Sequence, residues 1–365
     1  MSRRRALLLA LASLPAWRAM AVWAGPQRGA AEDFAAVVPG YKLVFPRDHG
    51  AHPDFRIEWW YATGWLSLAD GRPLGFQSTF FRLRTGLAED NPSAFAPRQL
   101  VLAHAAIADP QWGRLHHDQR AARTGFGRAG FATGQTGLWI GDWRFAQHGE
   151  HYRIEAKAAD FAYALDLVAA APPLLHGRSG YSVKAPDPRH ASYYYSRPQL
   201  AASGTVTLAG RPHPVTGRAW LDHEWSSQLL PEAAQGWDWL GVNLDDGGAL
   251  MAFRLRHRDG SPLWSAATFR PAGGQAQVLA PADVAFEPLR HWRSGRTGIV
   301  YPVEWRVRIG RRILLLRPLI DDQELDSRAS TGAVYWEGAV RVAEDGRNVG
   351  YGYLEMTGYG EKISI

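Results

Sequence analysis

Two segments of this chain carry the same punctuated pattern. Trp59-Trp60-Tyr61 leads through Asp70-Gly71 to Phe81-Arg82-Leu83-Arg84, and Trp237-Asp238-Trp239 leads through Asp246-Gly247 to Phe253-Arg254-Leu255-Arg256. An Asp-Gly pair between alternating strands is a strong hairpin signal. A second echo closes each half: Gly204, Val206, Leu208, Gly210-Arg211, Val215 and Trp220-Leu221-Asp222 match Gly338, Val340, Val342, Gly346-Arg347, Val349 and Tyr353-Leu354-Glu355. Two echoes in the same order predict one β unit used twice, divided within Ser226–Gly236, where Pro231 and Gly236 fall.

The rest of the chain agrees. Its 38 Gly and 23 Pro break any long helical pattern. Short runs rich in Trp, Tyr, Phe, Val and Thr lie between them. Tyr301–Ile309 alternates, with Val303, Trp305, Val307 and Ile309 on one face and Glu304, Arg306 and Arg308 on the other; Ala333–Val342 repeats the pattern. The best helical candidate is a short turn near Pro231–Gln235. The expected class is all-β: two tandem antiparallel β-barrels with little helix, closure removing exposed edges.

The formal charge of +6 would suggest a polyanionic partner, but it is unevenly placed. Arg3, Arg4 and Arg5 precede an apolar run from Ala6 to Leu14, and small residues near Ala19–Ala24 offer cleavage sites. Residues 1–24 read as an export signal, and Arg4-Arg5-Ala6-Leu7-Leu8 looks like a twin-arginine type. The run is too short to span a bilayer. Removing residues 1–24 takes four arginines and no acid, so the charge falls from +6 to +2. Nucleic acid is not an expected partner, the mature chain has no transmembrane segment, and the expected location is the periplasm. The absence of cysteine excludes disulfides, thiolate metal sites and a Cys nucleophile.

Candidate chemistry gathers where the halves differ. Ala219-Trp220-Leu221-Asp222-His223-Glu224-Trp225 closes the first half, whereas the second copy continues Met356-Thr357-Gly358 after Leu354-Glu355. As a strand, the first segment puts His223 and Trp225 on one face and Asp222 and Glu224 on the other. Asp238 falls on the face of Leu240, Val242 and Leu244, where desolvation would keep it protonated as a proton donor. Glu58 shares a face with Trp60, and Trp59 with Tyr61. With 16 Trp in the chain, aromatic walls could bind an apolar ligand or stabilise a carbocation. Core packing and a buried ion network account for the same residues equally simply. His49 and His52 lack further ligands at clear spacing, so no metal is expected. His116-His117 reads as loop, and Gly125-Phe126-Gly127 with Gly130 as a turn. No Gly-x-Ser-x-Gly, Walker loop or His-Glu-x-x-His occurs.

The set Asp48-His49, Glu58-Trp59-Trp60-Tyr61-x-x-Gly64, Tyr195-Ser196, Gly217-x-Ala219-Trp220-Leu221-Asp222-His223-Glu224-Trp225 and Tyr335-Trp336-Glu337-Gly338 resembles the carotenoid 1,2-hydratase/AttH-like family. The resemblance runs from about Tyr41 to Tyr359. It implies tandem lipocalin-like domains, here over residues 40–228 and 235–365, and a hydro-lyase that adds water to an isoprenoid double bond without a cofactor. The expected catalytic set is Asp238 as donor and His223 with Asp222 or Glu224 as the water-handling group. The expected ligand-binding set is Trp225, Glu58, Trp59, Trp60, Tyr61, Trp237, Trp239 and Tyr195. The ligand is a hydrophobic, isoprenoid-like small molecule. One rival is a non-catalytic periplasmic carrier linked to a transporter; another is a cyclase or isomerase that folds its substrate.

Overall fold

A computed structural model describes residues 34–362. The export-signal reading falls on residues 1–24 and lies outside the described residues. Eight strands carry the site: β1 (Ile57–Leu68), β2 (Pro73–Arg84), β3 (Ala191–Leu208), β4 (Arg211–Ser226), β5 (Gly236–Leu244), β6 (Ala249–Arg256), β7 (Val334–Glu344) and β8 (Arg347–Met356). They form hairpins in pairs, and the two echoes are these hairpins. The centre of the thirteen-stranded first sheet runs β2–β1–β4–β3; the centre of the ten-stranded second sheet runs β6–β5–β8–β7. Both sheets are antiparallel throughout their ladders. In the first, the edge strands Leu115–Arg123 and Ala129–Phe131 lie against each other and nearly close a barrel. The fold is thus all-β and lipocalin-like, built twice.

The Asp-Gly turns behave as their chemistry requires. Gly71 and Gly247 take φ of +84° and +92°, a region costly for other residues, and each donates its N–H back to Leu68 or Leu244. His116 and His117 lie in the strand Leu115–Arg123 rather than in a loop. The expected helical turn at Pro231–Gln235 is a single turn closed by Ala234 N–H to Pro231 O at 3.0 Å, not a helix. Among the described residues the helical pieces are two short 3-10 turns, Arg47–His49 and Pro281–Asp283. No helix there is long and apolar enough to cross a membrane.

Alternation along the strands makes three apolar layers. Phe76, Trp143, Phe145 and Leu165 fill the first barrel. Val303, Trp305, Val307 and Leu354 fill the second. A third layer joins them, with Tyr61, Trp65 and Trp220 from the first sheet against Trp239, Phe253 and Tyr353 from the second. This seam buries the outer faces of β1, β4, β5 and β8, so these strands are covered on both sides. Their near-continuous apolar runs follow from that double burial. Gly241 allows the close approach: a Cβ there would sit 2.6 Å from the Trp239 ring and 3.1 Å from Trp220.

Candidate functional site

A cavity of about 110 Å³ lies in the seam. Because strand side chains alternate, odd-numbered residues of β1 and β5 and even-numbered residues of β4 reach it from opposite sheets. Trp59, Tyr61, Trp237, Trp239, Phe81 and Phe253 supply the aromatic wall, and Leu229 and Leu230 of the connecting segment cover it. Tyr61 and Trp239 meet edge to face at 5.4 Å.

Four carboxyl groups line this wall: Asp222, Glu224, Glu337 and Glu355. Asp222 accepts hydrogen bonds from Tyr194 Oη (2.6 Å), Trp220 Nε1 (2.7 Å) and Ser196 Oγ. Ser196 also meets His176 Nε2 at 2.6 Å. Burial pushes the Asp222 carboxyl up to about 7, although its three donors favour the anion. Glu224 differs, being paired with Lys184 Nζ at 2.7 Å. Lys184 stands over the rings of Phe253 and Tyr194. Glu337 and Glu355 face each other as register partners on β7 and β8. Tyr61 Oη donates to Glu337 Oε2 at 2.8 Å, and Trp237 Nε1 to Glu355 Oε1 at 3.0 Å. Burial and the neighbouring Glu355 push Glu337 well above the carboxylate range. Burial pushes Glu355 up to about 8, with Asp222 and Glu224 adding and Trp237 opposing. Glu337 Oε1 has no protein partner among the described residues. With Oε2 accepting from Tyr61, Oε1 is the oxygen left free to carry a proton.

Six of the twelve expected site residues line the cavity: Asp222, Glu224, Trp59, Tyr61, Trp237 and Trp239. The other six do not. His223, Trp225, Glu58, Trp60 and Tyr195 occupy the opposite face of the first sheet. There Glu58 Oε1 accepts from His52 Nδ1 (2.7 Å) and His223 Nε2 (2.8 Å), and Glu58 Oε2 accepts from Arg82 Nε (2.8 Å). Tyr195 Oη bridges His223 Nδ1 (3.1 Å) and His49 Nδ1 (2.7 Å). Trp60 stacks on His223 at 4.4 Å, and Trp225 on His52 at 3.8 Å. Burial alone would raise Glu58; His52, His223 and Arg82 outweigh it and hold the carboxylate well below its usual range. Burial pushes His223 down to about 4, so it is neutral. His223 therefore cannot act with Asp222 or Glu224: the strand that carries all three separates them by a sheet.

Asp238 requires a second correction. It is fully buried at the end of the second barrel, where Arg254 Nη2 (2.7 Å), Arg256 Nε (2.9 Å) and Tyr359 Oη (2.9 Å) occupy its oxygens. Its face is apolar along β5 but meets two guanidinium groups from β6. Asp238 is an ion-pair acceptor, away from the cavity. The repeat contained this clue. Glu58 lies opposite Arg82, and Asp238 opposite Arg254, the first arginine of each Phe-Arg-Leu-Arg.

Sequence reasoning missed Glu337, Glu355, Tyr194 and Lys184. Glu355 stood in the second echo as the partner of Asp222, and Glu337 stood in the family motif. For metals, His52, Glu58 and His223 bring ligand atoms within 4.8 Å of one another. Those atoms bond one another, and Arg82 already holds Glu58, so the donor set suits an internal ion network better than a divalent cation.

The chain belongs to the AttH-like family, whose model matches residues 36–359. An AttH-type protein of Nitrosomonas europaea is 51% identical, with a TM-score of 0.84 over 89% of this chain and all of that one. Kievitone hydratase of Nectria haematococca shares the fold at 14% identity, TM-score 0.66, over 89% of this chain and 96% of that one. CghA in complex with Sch210972 shares it at 15% identity, TM-score 0.55, over 92% and 97%. No curated protein matches the chain.

Proposed function

We propose that this protein is an acid-catalysed hydratase acting on a hydrophobic, isoprenoid-like substrate held in the seam cavity. One observation carries the reading: an aromatic cavity holds two carboxyl groups, Glu337 and Glu355, that burial keeps protonated near neutral pH without a cationic partner, with Asp222 raised to about 7 beside them. A general acid works best with a pKa near the operating pH.

Glu337 Oε1–H gives its proton to the CH carbon of the isopropylidene alkene, and the π pair forms the new C–H bond, leaving the charge on the dimethyl-substituted carbon. The tertiary cation forms beside Tyr61 and Trp239, whose ring faces stabilise positive charge. A water oxygen forms the C–O bond, and the proton it sheds returns to the Glu337–Glu355 pair. Two facing carboxyls cannot both ionise cheaply, so this pair retains a proton through the cycle. The kievitone hydratase likeness adds that this fold hosts hydration in another protein. No cofactor takes part in this scheme. The mature chain, freed of residues 1–24, would work in the periplasm.

The test begins with native mass spectrometry of purified mature protein and extraction of any bound lipid. An acyclic polyene with isopropylidene ends is then supplied in micelles. A product heavier by one water, lost in Glu337→Gln, supports the reading. A co-purifying apolar ligand recovered unchanged, with no hydration of the polyene, makes the protein a carrier that hands its ligand to a transporter.

A further inference from the structure

Four polar side-chain atoms at the middle of the seam have no protein partner among the described residues: Thr63 Oγ1, Gln77 Oε1, Tyr353 Oη and Glu337 Oε1. All four residues are at most 1% exposed. Buried groups left unpaired cost about 1–3 kcal/mol each, so native folds leave few.

The four belong to one place. Thr63 and Gln77 are register partners on β1 and β2, so their side chains stand about 5 Å apart on the same face. The Gln77 amide donates to Thr79 Oγ1, and Thr79 lines the apolar cavity. Tyr61, two residues before Thr63 on that face, holds Glu337, and its ring lies 6.3 Å from that of Tyr353.

Thr63 and Tyr353 also line a second cavity, of about 330 Å³, at the other end of the seam. Its walls are more polar than those of the first: Arg218, Asn243, Asp245 and Arg341 stand among Trp65, Trp220 and Tyr351. Arg341 rests over the Trp65 and Tyr351 rings and makes no hydrogen bond or ion pair among the described residues. Such a charged mouth stays hydrated. Thr63 and Tyr353 line it, and the other two orphan atoms belong to Gln77, the register partner of Thr63, and to the acid itself.

We infer that Thr63, Gln77 and Tyr353 hold a short file of water running from this polar cavity to Glu337. The file supplies the nucleophile, so water and apolar substrate reach the acid from opposite ends of the seam. The four unpartnered atoms are the polar partners such water requires. A substrate filling the small apolar cavity blocks entry from that side, which makes a separate route necessary. The inference rests on the hydratase reading for its chemistry; the file itself does not. Thr63, Gln77 and Tyr353 are positioning residues, because they act on the water and not on the substrate.

The test is a crystal structure of the mature protein fine enough to resolve water, followed by kinetics with the acyclic polyene. The expected result is ordered water within about 3 Å of both Thr63 Oγ1 and Tyr353 Oη. Thr63→Val, of equal volume, loses that water and lowers kcat on the order of a hundredfold with KM unchanged. Gln77→Leu, a second variant should the first misfold, shows the same split. A dry site, a site filled by a ligand group, or wild-type kcat in both variants overturns the inference. A wild-type enzyme that hydrates no polyene removes the file's role as nucleophile source and refutes the hydratase reading. The crystal then still reports on the water positions by themselves.

Discussion

The barrel interiors and the seam between them both bury carboxyl groups, yet apart from Glu224, which Lys184 pairs in the seam, they treat them in opposite ways. Glu58 and Asp238 each face an arginine across a hairpin, with histidines around the first and Arg256 and Tyr359 around the second. Asp222, Glu337 and Glu355 meet hydroxyls, indoles and one another. A buried carboxyl beside a guanidinium can remain an anion and stabilise the fold. One without a cation keeps its proton and stays available for chemistry. Burial is equal in the two regions; the neighbouring strand decides the difference.

The widest separation between the two sets is expected in catalysis. Glu337→Gln should lower polyene hydration on the order of a thousandfold, the general-acid range, while native mass spectrometry shows retained polyene binding. Retained turnover would move the acid to Glu355. Stability should show the reverse pattern. Asp238→Asn leaves Arg254 and Arg256 buried without an anion, and Glu58→Gln does the same to Arg82. Each is expected to cost about 3–5 kcal/mol in urea unfolding, whereas Glu337→Gln costs little. An Asp238→Asn variant as stable as wild type would end the contrast between the regions.

A pH titration of unfolding sharpens it further. The folded state binds a proton at Asp222 more tightly than the unfolded chain, from an ordinary 3.8 to about 7. Its contribution is therefore complete below the ordinary carboxylate value and is lost as pH rises through about 7. The size is on the order of 4 kcal/mol, and Asp222→Asn should flatten that part of the curve. Glu355 adds a loss of the same sign as pH rises through about 8. Glu58 has the opposite sign: its contribution is present above the ordinary carboxylate value and disappears as acid protonates it. Stability should then peak in mild acid. The smallest effect is expected from the wall itself. Trp59→Leu removes ring area but no charge, and should weaken polyene binding about tenfold, as read by tryptophan quenching.

Much of the architecture was legible along the chain. Period-two alternation placed Asp222 and Glu224 opposite His223 and Trp225, and the Asp-Gly repeats located the hairpins. The roles failed where a neighbour on another strand mattered. Asp238 looked like an acid on an apolar face because Arg254 and Arg256 lie on β6, 16 and 18 residues away. His223 looked like a partner of Asp222 because the two are adjacent in sequence, although adjacent residues of a strand take opposite faces. Glu355 stood in the echo without an assigned role because nothing local says that two barrels meet there.

The sequence alone determined what each strand could present: which residues share a face, where the turns fall, and that the unit occurs twice. These depend on local geometry, a period of two and the freedom of glycine at positive φ. Only the tertiary structure decided which faces turn inward, which meet across the seam, and which acids lie beside a cation. Those outcomes arise from contacts between strands far apart in the chain, as Tyr61 with Glu337 shows. The charge of a buried carboxyl depends on such neighbours, and no stretch of sequence contains them.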